Sequence, residues 1–185
     1  MVLQIGPGEE KLLFPSLDTL DTLSLSAVSF QFAAREMACA LNVIELNSLK
    51  LWNCSQSLGF LDTIVSEGRT PRLRSFELVI DLDHDEAEIH ADPTTGFLEA
   101  FKELEDLFLM FTEPTNWNSV VPGILAHKST LKRLMVHGRS PDHLGRPDDE
   151  EIPTSTIEQL FGEIRLSCFG ICVGALRLVR SLLFP

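Results

Sequence analysis

The chain has 185 residues, 44% hydrophobic and 23% charged, a balance that excludes a disordered tail and fits one globular domain with a real core. Asp and Glu outnumber Lys and Arg 27 to 15, a net charge of −12, and the densest basic run is only Arg69, Arg72 and Arg74. Such a surface repels phosphate backbones, so a nucleic-acid partner is excluded.

Taken in order, residues 1–10 carry Gly6, Pro7, Gly8 and two acids but no apolar stretch of the kind a secretory signal needs. The protein is therefore expected to be intracellular, cytoplasmic or nuclear, with its four cysteines reduced and mostly buried. The sequon at Asn53 would then go unused. Leu12, Leu13 and Phe14 are apolar without a starting cap, so residues 1–16 read as a partial unit. On that reading residues 1–185 are a single domain that lacks an N-terminal part, because stacked units need polar caps at their ends.

Leu20, Leu23 and Leu25 open a spacing that returns through the chain. It is clearest in LNSLKLWNC at residues 46–54, where Leu46, Leu49, Leu51 and Cys54 fit L-x-x-L-x-L-x-x-N/C, the signature of a leucine-rich repeat. Leu73, Phe76 and Leu78 follow, then Leu104, Leu107 and Leu109, then Leu131, Leu134 and Val136. Leu166, Phe169 and Ile171 form the weakest copy. In this signature the x-L-x-L-x part is a short strand whose leucines turn into the core. A unit of this kind cannot bury its apolar face alone, and stacking makes one continuous core.

Between the strands the period changes to that of a helix. Residues 30–41 place Phe30, Ala33, Ala34, Met37 and Leu41 on one face, and residues 58–65 do the same with Leu58, Leu61, Ile64 and Val65 before Gly68 and Pro71 end the helix. Further helices are expected at 95–102, at 119–127 with Asn118 as N-cap, and at 155–164 with Ser155 and Glu158 as a capping box. The fold expected is therefore α/β: a leucine-rich-repeat solenoid of about six irregular repeats, with a curved parallel sheet on the concave side and helices on the convex side. Residues 81–92 and 138–153, rich in charge and in the second case Pro and Gly, are expected to be exposed loops that lengthen two repeats.

Chemistry-bearing motifs are sparse. Asp81, Asp83 and Asp85 begin like a calcium loop, but the sixth and twelfth positions hold Glu86 and Asp92 where that loop needs Gly and Glu. His84 and His90 do not have the spacing of a metal pair. No nucleophile elbow, phosphate-binding loop, dinucleotide fingerprint or H-E-x-x-H is present, so no catalytic residue, metal or cofactor is expected. The alternative is a small metal-dependent or hydrolytic enzyme using Asp81, Asp83, His84 and His90. Cys54 with His137 is set aside as a nucleophile and base, because Cys54 occupies the buried position of its repeat. Residues 166–184 are apolar, but Arg177 and Arg180 make them an expensive membrane span, so no membrane partner is expected and a terminal repeat with a hydrophobic helix is.

The outward strand positions are the more informative ones. Stacking the repeats aligns Ser24, Lys50, Glu77, Phe108, Met135 and Gly170 in one column, and Ser26, Trp52, Val79, Met110, His137 and Cys172 in the next. Trp52, Val79, Phe108, Met110 and Met135 would then face away from the core, and with His137 they are the residues expected to contact a protein partner.

LNSLKLWNC, FLEAFKELEDLFL (97–109), ILAHKSTLKRLMVHGR (124–139) and LSCFGIC (166–172) resemble the leucine-rich region of fungal F-box proteins, over residues 17–175. The resemblance implies an adaptor of a cullin-type ubiquitin ligase, whose F-box docks on a Skp-type linker while the repeats hold the substrate. No segment here is like the Leu-Pro-x-Glu start of an F-box, so it implies the substrate-reading part, with a Skp-type linker as partner only where an F-box stands upstream.

Overall fold

The computed structural model describes residues 20–80, 92–111, 117–138 and 154–172. Six strands run through them, β1 (Thr22–Ser26), β2 (Ser48–Trp52), β3 (Ser75–Ile80), β4 (Asp106–Phe111), β5 (Arg133–Gly138) and β6 (Cys168–Cys172). Five helices alternate with them, α1 (Ala34–Ala40), α2 (Ser57–Ser66), α3 (Asp92–Glu99), α4 (Trp117–Leu125) and α5 (Thr154–Glu163). All strand pairs are parallel, and spatial order is chain order, β1 through β6. Each helix packs on the next, so the helices form one layer over one face of the sheet. Helices pack at about 8–10 Å and strands at about 4.8 Å, so a stack with one of each per step bends toward its sheet. The architecture is consistent with a curved α/β solenoid.

The alternation within strands follows from the leucine spacing. Leu23, Leu49, Phe76, Leu107, Leu134 and Phe169 share one register position, and Leu25, Leu51, Leu78, Leu109, Val136 and Ile171 another. From β2 to β5 every one of these residues is buried. At β1 and β6 they are only partly covered, since among the described residues each of these strands has a sheet neighbour on one side only. Phenylalanines fill the gap between sheet and helices: Phe30 stacks flat on Phe60 at 4.3 Å, Phe76 meets Phe97 at 5.0 Å, and Phe111 meets the edge of Trp117 at 5.4 Å. Gly123 lets α4 approach α3, since a Cβ there would stand 3.0 Å from the Leu98 Cβ and 3.1 Å from the Thr95 Cα.

The sheet extends one residue ahead of each strand. The amides of Asn47, Arg74, Glu105, Lys132 and Ser167 each donate to the carbonyl of the equivalent residue one strand earlier, all at 2.8 Å. Beyond the strands, Ala27 and Asn53 occupy equivalent positions with φ of 54° and 52°, a left-handed residue that swings the chain off the sheet toward its helix. Asn tolerates that conformation; Ala adopts it at a cost of about 1 kcal/mol.

Helix boundaries differ from the sequence expectation where tertiary contacts override local capping. Phe30 is not helical: its amide donates to the Ser55 carbonyl at 3.0 Å, and Phe32 at φ 63° delays α1 to Ala34. Trp117 packing on Phe111 starts α4 ahead of Asn118, which therefore lies inside the helix and bonds Thr156 instead of capping. Ser155 lies inside α5, which opens at Thr154. The proposed loops are shorter at their described ends, since Asp92 opens α3 and Gly138 closes β5. The weakest copy of the leucine spacing, Leu166, Phe169 and Ile171, falls on strand β6 as its spacing predicts, with Phe169 and Ile171 level with Leu134 and Val136. Residues 1–16, 81–91 and 139–153 lie outside the described residues, as do Arg177 and Arg180.

Candidate functional site

The face of the sheet opposite the helices carries both outward columns in the register set by the leucines. Ser24, Lys50, Glu77, Phe108, Met135 and Gly170 are Cα partners across the six strands, as are Ser26, Trp52, Val79, Met110, His137 and Cys172. Trp52 and Met135 are each 46% exposed, while Val79, Phe108, Met110 and His137 are half-buried. All six residues expected to meet a partner thus lie on one face, on strands β2 to β5 (Thr22–Ser26 and Cys168–Cys172 contribute none). Large side chains with this exposure have no core to enter.

Polar contacts order this face. Glu77 accepts from Lys50 Nζ at 2.6 Å and from the Trp52 indole Nε1 at 3.2 Å, so one carboxylate neutralises the lysine and fixes the tryptophan ring. Glu77 escaped the sequence reading as a positioning residue, although its place opposite Lys50 in the column was the available signal. Gly170 supports Met135, because a Cβ at 170 would meet the Met135 side chain at 3.1 Å. At the start of the strands, Arg133 holds both carboxylate oxygens of Asp106 and keeps that carboxyl below the usual carboxylate range. Lys132 pairs with Glu105 at 2.6 Å. The charges on this face are therefore largely balanced among themselves.

The cysteines divide by position. Cys54 is 4% exposed, its Sγ reaching the Leu25 carbonyl at 3.5 Å and the Trp52 carbonyl at 3.6 Å. Burial pushes its thiol pKa up against the opposing pull of backbone hydrogen bonds, so it is a poor nucleophile. Contrary to the expectation of mostly buried thiols, Cys39 and Cys168 are exposed. Cys39 lies against Arg69 and Glu67, where the chain carries charge rather than core. Brief treatment with iodoacetamide is expected to modify Cys39 and Cys168 but leave Cys54 intact until the protein is unfolded, as read by peptide mass mapping.

His127, on the turn after α4, is fully buried, which the sequence reading did not note, although it extends the apolar stripe of Val120 and Ile124. Its Nε2 donates to the Leu98 carbonyl at 2.8 Å, its ring lies 5.0 Å from Phe101, and Nδ1 has no hydrogen-bond partner among the described residues. Burial lowers its pKa, outweighing the backbone of Leu98 and Lys102, which favours the cation. An unfolded histidine takes up a proton near pH ~6.5, whereas this one resists. The unfolded state therefore holds more protons as pH falls, and stability drops with it. The urea midpoint is expected to decline from pH ~7.5 to pH ~5.5, and less steeply in His127→Phe; equal slopes would contradict this account.

Among the described residues no group of three or more His, Cys, Asp and Glu is placed to hold a metal ion, and no helix is long and apolar enough to cross a membrane. Asp81, Asp83, His84 and His90, the residues of the enzymatic alternative, lie outside the described residues. Searches against protein-family models, curated proteins and solved structures find no match to this chain.

Proposed function

We propose that this protein is a non-enzymatic protein–protein interaction domain, a leucine-rich-repeat solenoid that engages a protein partner through the open face of its sheet. The observation that carries the reading is the alignment of Trp52, Val79, Phe108, Met110, Met135 and His137 on four adjacent strands, on the face that none of the described helices covers. Interface cores are enriched in Trp, Phe and Met, the residue types gathered here. The equal 2.8 Å bonds that link each strand entry to the next support a repeated unit, as do the equivalent left-handed turns at Ala27 and Asn53.

Within this class, the resemblance to F-box proteins favours the substrate-reading part of a ubiquitin ligase adaptor. The test is affinity capture from cell extract with the wild-type chain and with Trp52→Ala, Met110→Ala and His137→Ala as baits. A partner retained by wild type and lost by the variants, with melting temperatures unchanged, supports the reading. Recovery of ligase subunits with the bait supports the adaptor role, and equal capture by all four baits contradicts the site.

A further inference from the structure

Met110, Met135 and His137 occupy adjoining positions on two neighbouring strands. Met110 is the Cα partner of His137, and Met135 precedes His137 by two residues on β5. Residues two apart on a strand share a face, so all three stand on the side that the described helices leave open. Neighbouring strands lie about 4.8 Å apart and same-face residues of one strand about 6.8 Å apart, which makes the three Cα atoms a triangle with sides of about 5, 7 and 8 Å. Met135 is exposed, and Met110 and His137 are half-buried, so the group is open to solvent.

Thioether sulfur is a soft donor and imidazole nitrogen a borderline one, and together they suit Cu(I). A methionine carries its sulfur on three rotatable bonds, so two of them and a histidine reach one point from this spacing. Among the described residues no hydrogen bond or ion pair holds the His137 ring. Met135 rests against Gly170, where a Cβ would meet its Cγ at 3.1 Å and its Cε at 3.2 Å. That contact is dispersion alone, and a flexible thioether leaves it for a metal bond at little cost. The nearest carboxylates are taken, Glu77 by Lys50 and Trp52 and Asp106 by Arg133. Two sulfurs and one nitrogen without a carboxylate favour a soft monovalent ion over Mg2+, Ca2+ or Zn2+. This set differs from a cluster of His, Cys, Asp and Glu, of which the described residues hold none. The net charge of −12 draws cations toward the molecule.

We propose that Met110, Met135 and His137 form a three-coordinate Cu(I) site on the open sheet face, with the two thioethers and the imidazole as ligands. The site lies on the proposed docking surface but asks only that this corner be reachable by an ion, so it stands or falls apart from the protein partner.

The experiment uses the full chain with carbon-13 in its methionine methyl groups, and Ag(I) as a redox-inert probe for Cu(I). Thiols compete for silver, so Cys39, Cys168 and Cys172 are changed to Ser while the buried Cys54 is kept. Should that variant melt below wild type, the wild-type chain is titrated past its four thiols instead. The Met110 and Met135 methyl signals are expected to shift together as silver is added, while that of Met37, on α1, stays in place. Met110→Leu, Met135→Leu and His137→Ala keep the fold and should each weaken silver binding by more than the roughly tenfold cost of losing an outer-shell partner. Trp52→Ala, on β2 and outside the triangle, should leave silver binding unchanged. Zn(II) should move neither methyl signal.

Silver that shifts neither signal, or only one of them, overturns the proposal, as does undiminished binding in His137→Ala or an equal response to Zn(II). Loss of silver binding in Trp52→Ala places the ion elsewhere and overturns it too. Partner capture reads the docking surface separately. Capture that depends on Trp52 without a silver response removes the ion site and leaves the docking surface. A silver response with capture undiminished in Trp52→Ala supports the ion site and removes the docking surface.

Discussion

Phe76→Ala is expected to cost about 3–5 kcal/mol of stability, the range for removing a buried aromatic ring from a close-packed core. Phe76 lies on β3 (Ser75–Ile80), with Leu49 and Leu107 on either side in its row, and is fully buried. Its ring meets Phe97 at 5.0 Å and 49°, so the mutation removes an aromatic pair that joins sheet to helix layer as well as the buried area. The neighbours cannot collapse into the space, because the strands are held by ladders on both sides and the helices by their own stack. For a domain of this size each kcal/mol lowers the melting temperature by about 2–4 °C, so calorimetry should show a fall of about 6–20 °C. A fall under about 2 °C would mean that the ring is not part of the core.

The second large effect comes from placing a charge at two adjacent positions. Leu134 is fully buried on β5 and Met135 beside it is 46% exposed. Leu134→Asp removes a core side chain and sets a carboxyl between Leu107 and Phe169 in the hydrophobic core that the described residues form. Burying an unpaired charge together with a cavity is among the few changes worth more than about 4–5 kcal/mol, a loss close to the whole stability of many domains. Leu134→Asp should therefore be largely unfolded by circular dichroism. Met135→Asp places the same carboxyl on the open face, two residues from Arg133 and level with Phe108, and should keep the wild-type spectrum and melting temperature to within about 1 kcal/mol.

The strand rows were legible in the sequence because a strand's period is two, so the L-x-L pair fixes which side chains turn in and, with the same motif in each copy, the register between strands. That is why Lys50 and Glu77, or Met110 and His137, could be set side by side from spacing alone. What escaped depends on contacts between units. Phe30 reads as the first residue of a helix stripe, yet its amide is held by Ser55 of the next unit. Asn118 reads as a cap, yet Trp117 is drawn in by Phe111. The exposure of Cys39 and Cys168 follows from where helices and edges fall in the stack, which no local pattern states, whereas the one local sign of the buried His127 is its place on the apolar stripe three residues after Ile124. The open face was legible as a set of residues, and Glu77 as the neighbour of Lys50, whereas its 3.2 Å hydrogen bond to the Trp52 ring depends on side-chain orientation that spacing does not carry.

The account stands on the open sheet face being a binding surface and not a buried layer, and Met135→Asp tests this most directly. Melting temperature and partner capture are measured on the same preparation. The expected result is a chain that melts with wild type and captures none of the partner that wild type retains. A variant that unfolds would place Met135 in a core, and one that captures the partner undiminished would place the binding surface elsewhere.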